Sequence, residues 1–164
     1  MKAKDILSVL ERRHKGDVFI PECKTGPSWL NNNLRIMDAW VMKRSWSDLR
    51  TWAYEIKVSR SDFLRDDKWR EYLPYCNEFY FVCPWGLIDP EEVEDPAGLL
   101  WITKTGGRAY MKKWILPRKQ DIPQELLIHL VMSRMTTARP QDLAILRWEN
   151  NELQRRIDGL EGLE

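Results

Sequence analysis

"YEIKVSRSDF", residues 54–63, decides how this chain is read. Its first half is strand-like and places Glu55 and Lys57 two residues apart, hence on one face of a pleated strand. It then breaks into Ser59, Arg60, Ser61 and Asp62, the signals of a helix start. An acid and a base on one strand face have two readings. One is a surface salt bridge across a single pleat. The other is half of a metal-dependent active site.

The full run "TWAYEIKV" sends Trp52, Tyr54, Ile56 and Val58 to one face and Ala53, Glu55 and Lys57 to the other. The first face is apolar and reads as core. The second is expected to point to solvent or a cleft. Upstream, "LRIMDAWVMK" is a strand, "RSWSD" a compact connection and "LRTWAYEIKV" the returning strand, an antiparallel hairpin over 34–58. Asp38 interrupts the apolar run of the first strand, where an isolated carboxylate is unfavourable without a partner. Hairpin pairing brings it beside Glu55. Two such carboxylates repel, and a hard cation, Mg²⁺ or Mn²⁺, relieves the repulsion. Lys57 on the same face can hold water or meet charge developing on a phosphate. Together these are the parts of phosphodiester hydrolysis.

The rest of the chain supplies a frame. "AKDILSVLERRH" spaces Ile6, Leu7 and Leu10 helically, with Gly16 as a stop. "DVFIPEC" is a short strand whose Pro21 assigns it to an edge or a bulge. A helix is expected from Ser61 to Tyr72, capped by Ser59 or Ser61 and stopped by Pro74. "EFYFVCP" (78–84) reads as a strand buried on both faces. "GLIDPEEVEDPAG" (86–98) is a connection with a helical turn at most. "LLWITK", "TGG" and "RAYMKKW" form a second hairpin. Residues 123–136 form an amphipathic helix with Leu126, Leu127, Leu130 and Val131 on its apolar side. A last helix opens at Pro140. The expected fold is an α/β mixed sheet flanked by helices, with residues 1–120 as core and 121–164 as a C-terminal helical extension.

At this point the residues resemble a known family. Asp38…Glu55-Ile56-Lys57 is similar to the D…(D/E)xK signature of the PD-(D/E)xK nuclease superfamily, and the element order matches that superfamily's core. The segments "PEC", "MDAWVM", "EIKVSRSDFLRD" and "YCNEFYFVCPWGLI" resemble the MmcB-like family, whose members are taken to be DNA repair nucleases. The likeness covers residues 5–115. Met37 stands where the superfamily's name has proline, a position that varies among relatives. The resemblance implies a restriction-endonuclease-like fold and a Mg²⁺- or Mn²⁺-dependent DNA nuclease serving repair, recombination or phage DNA processing. Asp38 and Glu55 would bind the metal with the Ile56 carbonyl, and Lys57 would position or activate water. Glu22, ending the strand before the hairpin, is the candidate for an extra ligand, against an ordinary edge-strand charge. Arg60 and Lys68 are candidates for phosphate contact, against a solvated face shared with Asp66, Asp67 and Glu71. The rival from another class is a non-catalytic module of the same fold that binds nucleic acid or a repair partner.

Composition bounds these readings. The chain has 164 residues, 43% hydrophobic and 31% charged, enough for a globular core. No run approaches the roughly 18 to 20 apolar residues of a membrane span, and the charged start lacks a signal peptide's apolar segment, so a cytoplasmic protein is expected. Cys23, Cys76 and Cys83 form no CxxC pair and His14 and His129 stand far apart, which argues against zinc and for reduced, buried thiols. Net charge is +1, so basic character is local, in Lys104, Arg108, Lys112, Lys113, Arg118 and Lys119. Among the tryptophans, Trp40, Trp52 and Trp101 read as core. Trp29, Trp46 and Trp85, in or beside connections, are better placed to stack on unpaired bases. Leu143, Leu146, Asn150, Leu153, Ile157 and Leu160 alternate by three and four, a heptad seam suited to a homodimer or a protein partner.

Overall fold

The computed structural model describes residues 1–27, 34–103, 107–134, 148, 151 and 155. The seam of the last helix, Trp29 and Lys104 lie outside these residues. The chain falls into two units, Met1–His129 and Leu130–Glu164. The first holds a six-stranded mixed sheet whose spatial order follows the sequence, β1-β2-β3-β4-β5-β6.

Helix α1 (Ala3–Arg13) comes first, then β1 (Val18–Lys24), β2 (Ile36–Met42) and β3 (Thr51–Ile56). These strands form an antiparallel meander, with Ala39 opposite Tyr54 in the second hairpin. The chain crosses through α2 (Arg60–Leu64) and a 3₁₀ segment (Trp69–Tyr75) to β4 (Glu78–Pro84), which is parallel to β3. β5 (Ala97–Ile102) is parallel to β4, and β6 (Ala109–Lys113) returns antiparallel as the far edge. Helix α3 (Gln124–Arg134) ends the described elements apart from isolated helical residues. β1 is the other edge and tolerates Pro21, as its sequence suggests. β4 is central and buried on both faces.

One sheet face packs on α1. Ile6, Val9 and Leu10 meet Ala39, Val41, Tyr54, Ile56, Tyr80 and Val82. Each fully buried aliphatic side chain here contributes roughly 1.5–3 kcal/mol. The Tyr80 ring crosses β5 at Gly98, where an added Cβ would stand 2.2 Å from the ring, so glycine is required there by close approach. His14 closes the end of this layer, 2.7 Å from the Tyr54 hydroxyl through Nε2 and 2.9 Å from Asp17 through Nδ1.

The opposite face is not the solvent face that strand alternation allows, which leaves the cleft alternative standing: Ala53 and Lys57 are buried, because the crossover segment lies over it. Trp69 stacks on Phe79 at 5.5 Å and stands edge-on to Phe81, Tyr72 stacks on Phe79, and Phe63 meets Phe81 edge-on. Nor is that segment one helix from Ser61 to Tyr72. Ser59 caps α2 by accepting from the Asp62 N–H, but α2 stops at Leu64, and a 3₁₀ segment containing Pro74 follows. The aromatic contacts draw the chain down onto the sheet and override helix continuity. In α3 the expected apolar side is only partly realised: Leu126 is buried, but Leu127 is exposed.

Candidate metal centre

The site begins with strand period and register. Continued one residue past Ala39–Tyr54, the β2–β3 register sets Asp38 across from Glu55 on the covered face. Asp38 Oδ2 accepts the Ile56 backbone N–H at 2.6 Å, which answers how this carboxylate is held among apolar neighbours. Glu55 Oε1 accepts from Lys57 Nζ at 3.1 Å. Glu55 Oε2 is buried and has no hydrogen-bond partner.

Lys57 is placed by its own N–H, which donates to the Val82 carbonyl of β4 at 2.9 Å. Its ammonium pairs with Asp66 Oδ2 at 2.6 Å as well as with Glu55. The side chains of Lys57, Glu55 and Asp66 are 6%, 15% and 9% exposed. The salt bridge across one pleat is therefore real, but it is buried and has a third member. The sequence places Asp66 only in the solvated-face alternative to phosphate contact by Arg60 and Lys68. Asp66 reaches Lys57 because α2 ends at Leu64 and Arg65 takes the cap position, turning the chain back. A helix continuing to Tyr72 would not have carried that signal.

The electrostatics follow from burial. Desolvation, then the charge of Asp38, pushes Glu55 up to about 7, with Lys57 pulling the other way. Asp38 is also raised by burial, against the Ile56 N–H and Lys57. For Lys57 burial acts downward, but the hydrogen bonds to Asp66 and Glu55 outweigh it, so its pKa is raised and it stays an ammonium. Three carboxylates thus share one lysine in a poorly solvated place, and the balance is short of positive charge.

That shortage, with the orphaned Glu55 Oε2, suits a cation. Mg²⁺ commonly takes one or two protein carboxylates and keeps several waters. Among the described residues no group of three or more His, Cys, Asp or Glu side chains converges as a ligand set, so two carboxylates are what the protein offers. Glu22 sits on β1 at the register position facing Asp38, between the pairs Pro21–Ala39 and Cys23–Met37. It is exposed, and its φ of 47° is left-handed.

The two phosphate candidates differ. Arg60 is clamped by Glu92 through both guanidinium nitrogens, at 2.5 and 2.6 Å, and donates to the Leu87 carbonyl. Lys68 is exposed, and its backbone N–H donates to Asp66 Oδ1. Glu71 pairs with Arg35 across the fold rather than with a neighbour on its own segment. Cys23, Cys76 and Cys83 are buried and in no disulfide, and burial pushes the Cys76 thiol up to about 12.

No family model matches this chain, and no curated protein matches it. A solved structure of a protein of unknown function from Silicibacter pomeroyi is similar in fold, with a TM-score of 0.60 and 19% identity, over 97% of this chain and 95% of that one. At that identity the likeness shows the fold alone. Among the described residues no helix is long and apolar enough to cross a membrane.

Proposed function

We propose that this chain is a divalent-metal-dependent deoxyribonuclease with a restriction-endonuclease-like core, acting in DNA repair, recombination or phage DNA processing. The observation that carries the reading is the shortage of positive charge around Asp38, Glu55 and Asp66, with Glu55 Oε2 left unpaired. Asp38 and Glu55 would hold Mg²⁺ or Mn²⁺, with the Ile56 carbonyl as a further oxygen donor, and Glu22 would add a third carboxylate only by turning inward from its exposed position on β1. When bound, the ion makes water more acidic and shields charge on the attacked phosphate.

The protein's own groups have definable tasks. Lys57 keeps its proton, so it serves as a cation toward a phosphate oxygen and not as a general base. An ammonium has three donors, and Glu55 and Asp66 use two, which leaves one for substrate. Asp66 fixes the direction of that third donor. Ile56 orients Asp38 through its N–H. Lys68 is the phosphate contact, and Arg60 joins it only by leaving Glu92.

One observation favours a second reading. A lysine pinned between two buried acids is also what a purely structural ion network looks like, and a non-catalytic nucleic-acid-binding or repair-partner-binding module would need no more. Labelled duplex, single-stranded and branched DNA incubated with Mg²⁺ or Mn²⁺ separates the two. The expected outcome is cleavage, lost with Asp38→Asn. Lys57→Met should lower kcat by roughly 100-fold or more and leave DNA binding intact. Cleavage of no substrate with either ion would favour the binding module, and undiminished cleavage by Lys57→Met would remove Lys57 from the chemistry.

A further inference from the structure

A second cluster stands apart from the acidic pair, at the opposite edge of the sheet. Trp85 follows β4 directly, its N–H held by the Ile102 carbonyl at 3.0 Å. Its ring lies 5.0 Å from Trp101 and 5.5 Å from Tyr110, edge-on to the latter. Trp101 is fixed by its indole N–H, which donates to the Ile88 carbonyl at 2.9 Å. Lys112 Nζ sits 4.7 Å from the Trp85 ring centre and 4.5 Å from that of Trp101. Trp85 is 51% exposed and Tyr110 42%, so an indole backed by the hydrogen-bonded Trp101 still presents open aromatic surface.

The segment that carries Lys112 is basic: residues 107–119 hold Arg108, Lys112, Lys113, Arg118 and Lys119 and no acid, although Lys113 pairs with Asp95 of the acid-rich connection over 86–98. Among the described residues no carboxylate pairs with Lys112, whose ammonium rests on the rings alone. Around the β6 edge, on the α1 side of the sheet, Tyr110 also borders a shallow groove of about 370 Å³ lined by Arg12, Arg13 and Arg108 and by no acidic residue. Flat aromatic surface beside uncompensated cations matches one ligand chemistry, a base attached to a phosphate chain. A duplex hides its base faces, so the strand must be unpaired.

We propose that Trp85, supported by Trp101 and Tyr110, is a stacking site for an unpaired base of single-stranded nucleic acid. Lys112 meets the phosphate beside that base, and the arginine groove carries the adjoining backbone. The inference rests on the proposed action on nucleic acid and narrows its substrate to DNA with an unpaired strand.

The test is fluorescence anisotropy in EDTA, where binding is read without cleavage. The probes are labelled oligothymidylate, an abasic strand of the same length and charge, and a blunt duplex. Oligothymidylate should bind more tightly than either. Trp85→Ala should weaken it by about 5- to 100-fold and bring it to the abasic level, with abasic binding unchanged. Trp85→Phe should keep most of the affinity. Equal binding of oligothymidylate and abasic strand overturns the stacking site, as does preference for duplex, or unchanged oligothymidylate binding by Trp85→Ala. Because no metal is present, the stacking site can stand where nuclease activity fails, and fall where activity is found.

Discussion

The acidic pair makes a prediction at the scale of one residue. Glu55 has its pKa raised from 4.5 to about 7, by burial first and by Asp38 second. The fold therefore favours the protonated acid. Its contribution to stability is full below 4.5 and is lost as pH rises through about 7. The loss is on the order of 3 kcal/mol, shared with Asp38 because the two titrate together. In metal-free protein, Glu55→Gln should raise Tm at about pH 8 and leave it unchanged at about pH 4. Mg²⁺ should raise the wild-type Tm more at the higher pH, since it binds the ionised pair. Calorimetry showing the same metal-free Tm for both proteins at both pH values would remove the buried repulsion. Of the residues involved, Glu55 and Lys57 were legible in the sequence because strand period puts them on one face, and Asp38 because hairpin pairing brings it beside them. Asp66 was not, because its approach depends on where α2 ends, and "FLRDD" contains no residue that forbids a longer helix.

At the scale of elements, the segment between β3 and β4 does the work that a crossover helix usually does, with far less helix. α2 has five residues, and the rest of the cover is a 3₁₀ segment held down by Trp69 and Tyr72 on Phe79 and Phe81. Cover of this kind is only as firm as its anchors. Trp69→Ala should cost about 3–5 kcal/mol in urea unfolding. Hydrogen exchange should quicken across residues 60–75 while the amides of α1 stay protected. Equal quickening in both would mean that the cover is not a separable element. The strands themselves were readable from apolar alternation and turn residues, and β4 from its unbroken apolar run. The cover was not, since Ala53, Glu55 and Lys57 look like a solvent face until an aromatic neighbour is placed over Phe79 and Phe81.

At the scale of the whole molecule, every pair of neighbouring strands in the first unit is also consecutive in sequence. The strand order was expected only in outline. Periodicity identifies strands, but whether β3 and β4 pair in parallel is decided by the length of chain between them and by what that chain covers. The order bears on how the acidic pair comes to exist. Asp38 and Glu55 lie in adjacent strands of a local hairpin, so they meet when it closes. Asp66 reaches Lys57 only after the cover docks. The like-charge penalty thus falls early, on the way to the folding barrier, and the rate of folding carries it as well as the final stability. Stopped-flow refolding of metal-free protein should be faster below about pH 6 than above it, and Asp38→Asn should abolish that dependence. A refolding rate indifferent to pH, with all the sensitivity in unfolding, would place the meeting of the two carboxylates after the barrier. The proposed metal site is then also a kinetic gate: the charge arrangement suited to holding a cation slows the formation of the sheet that presents it.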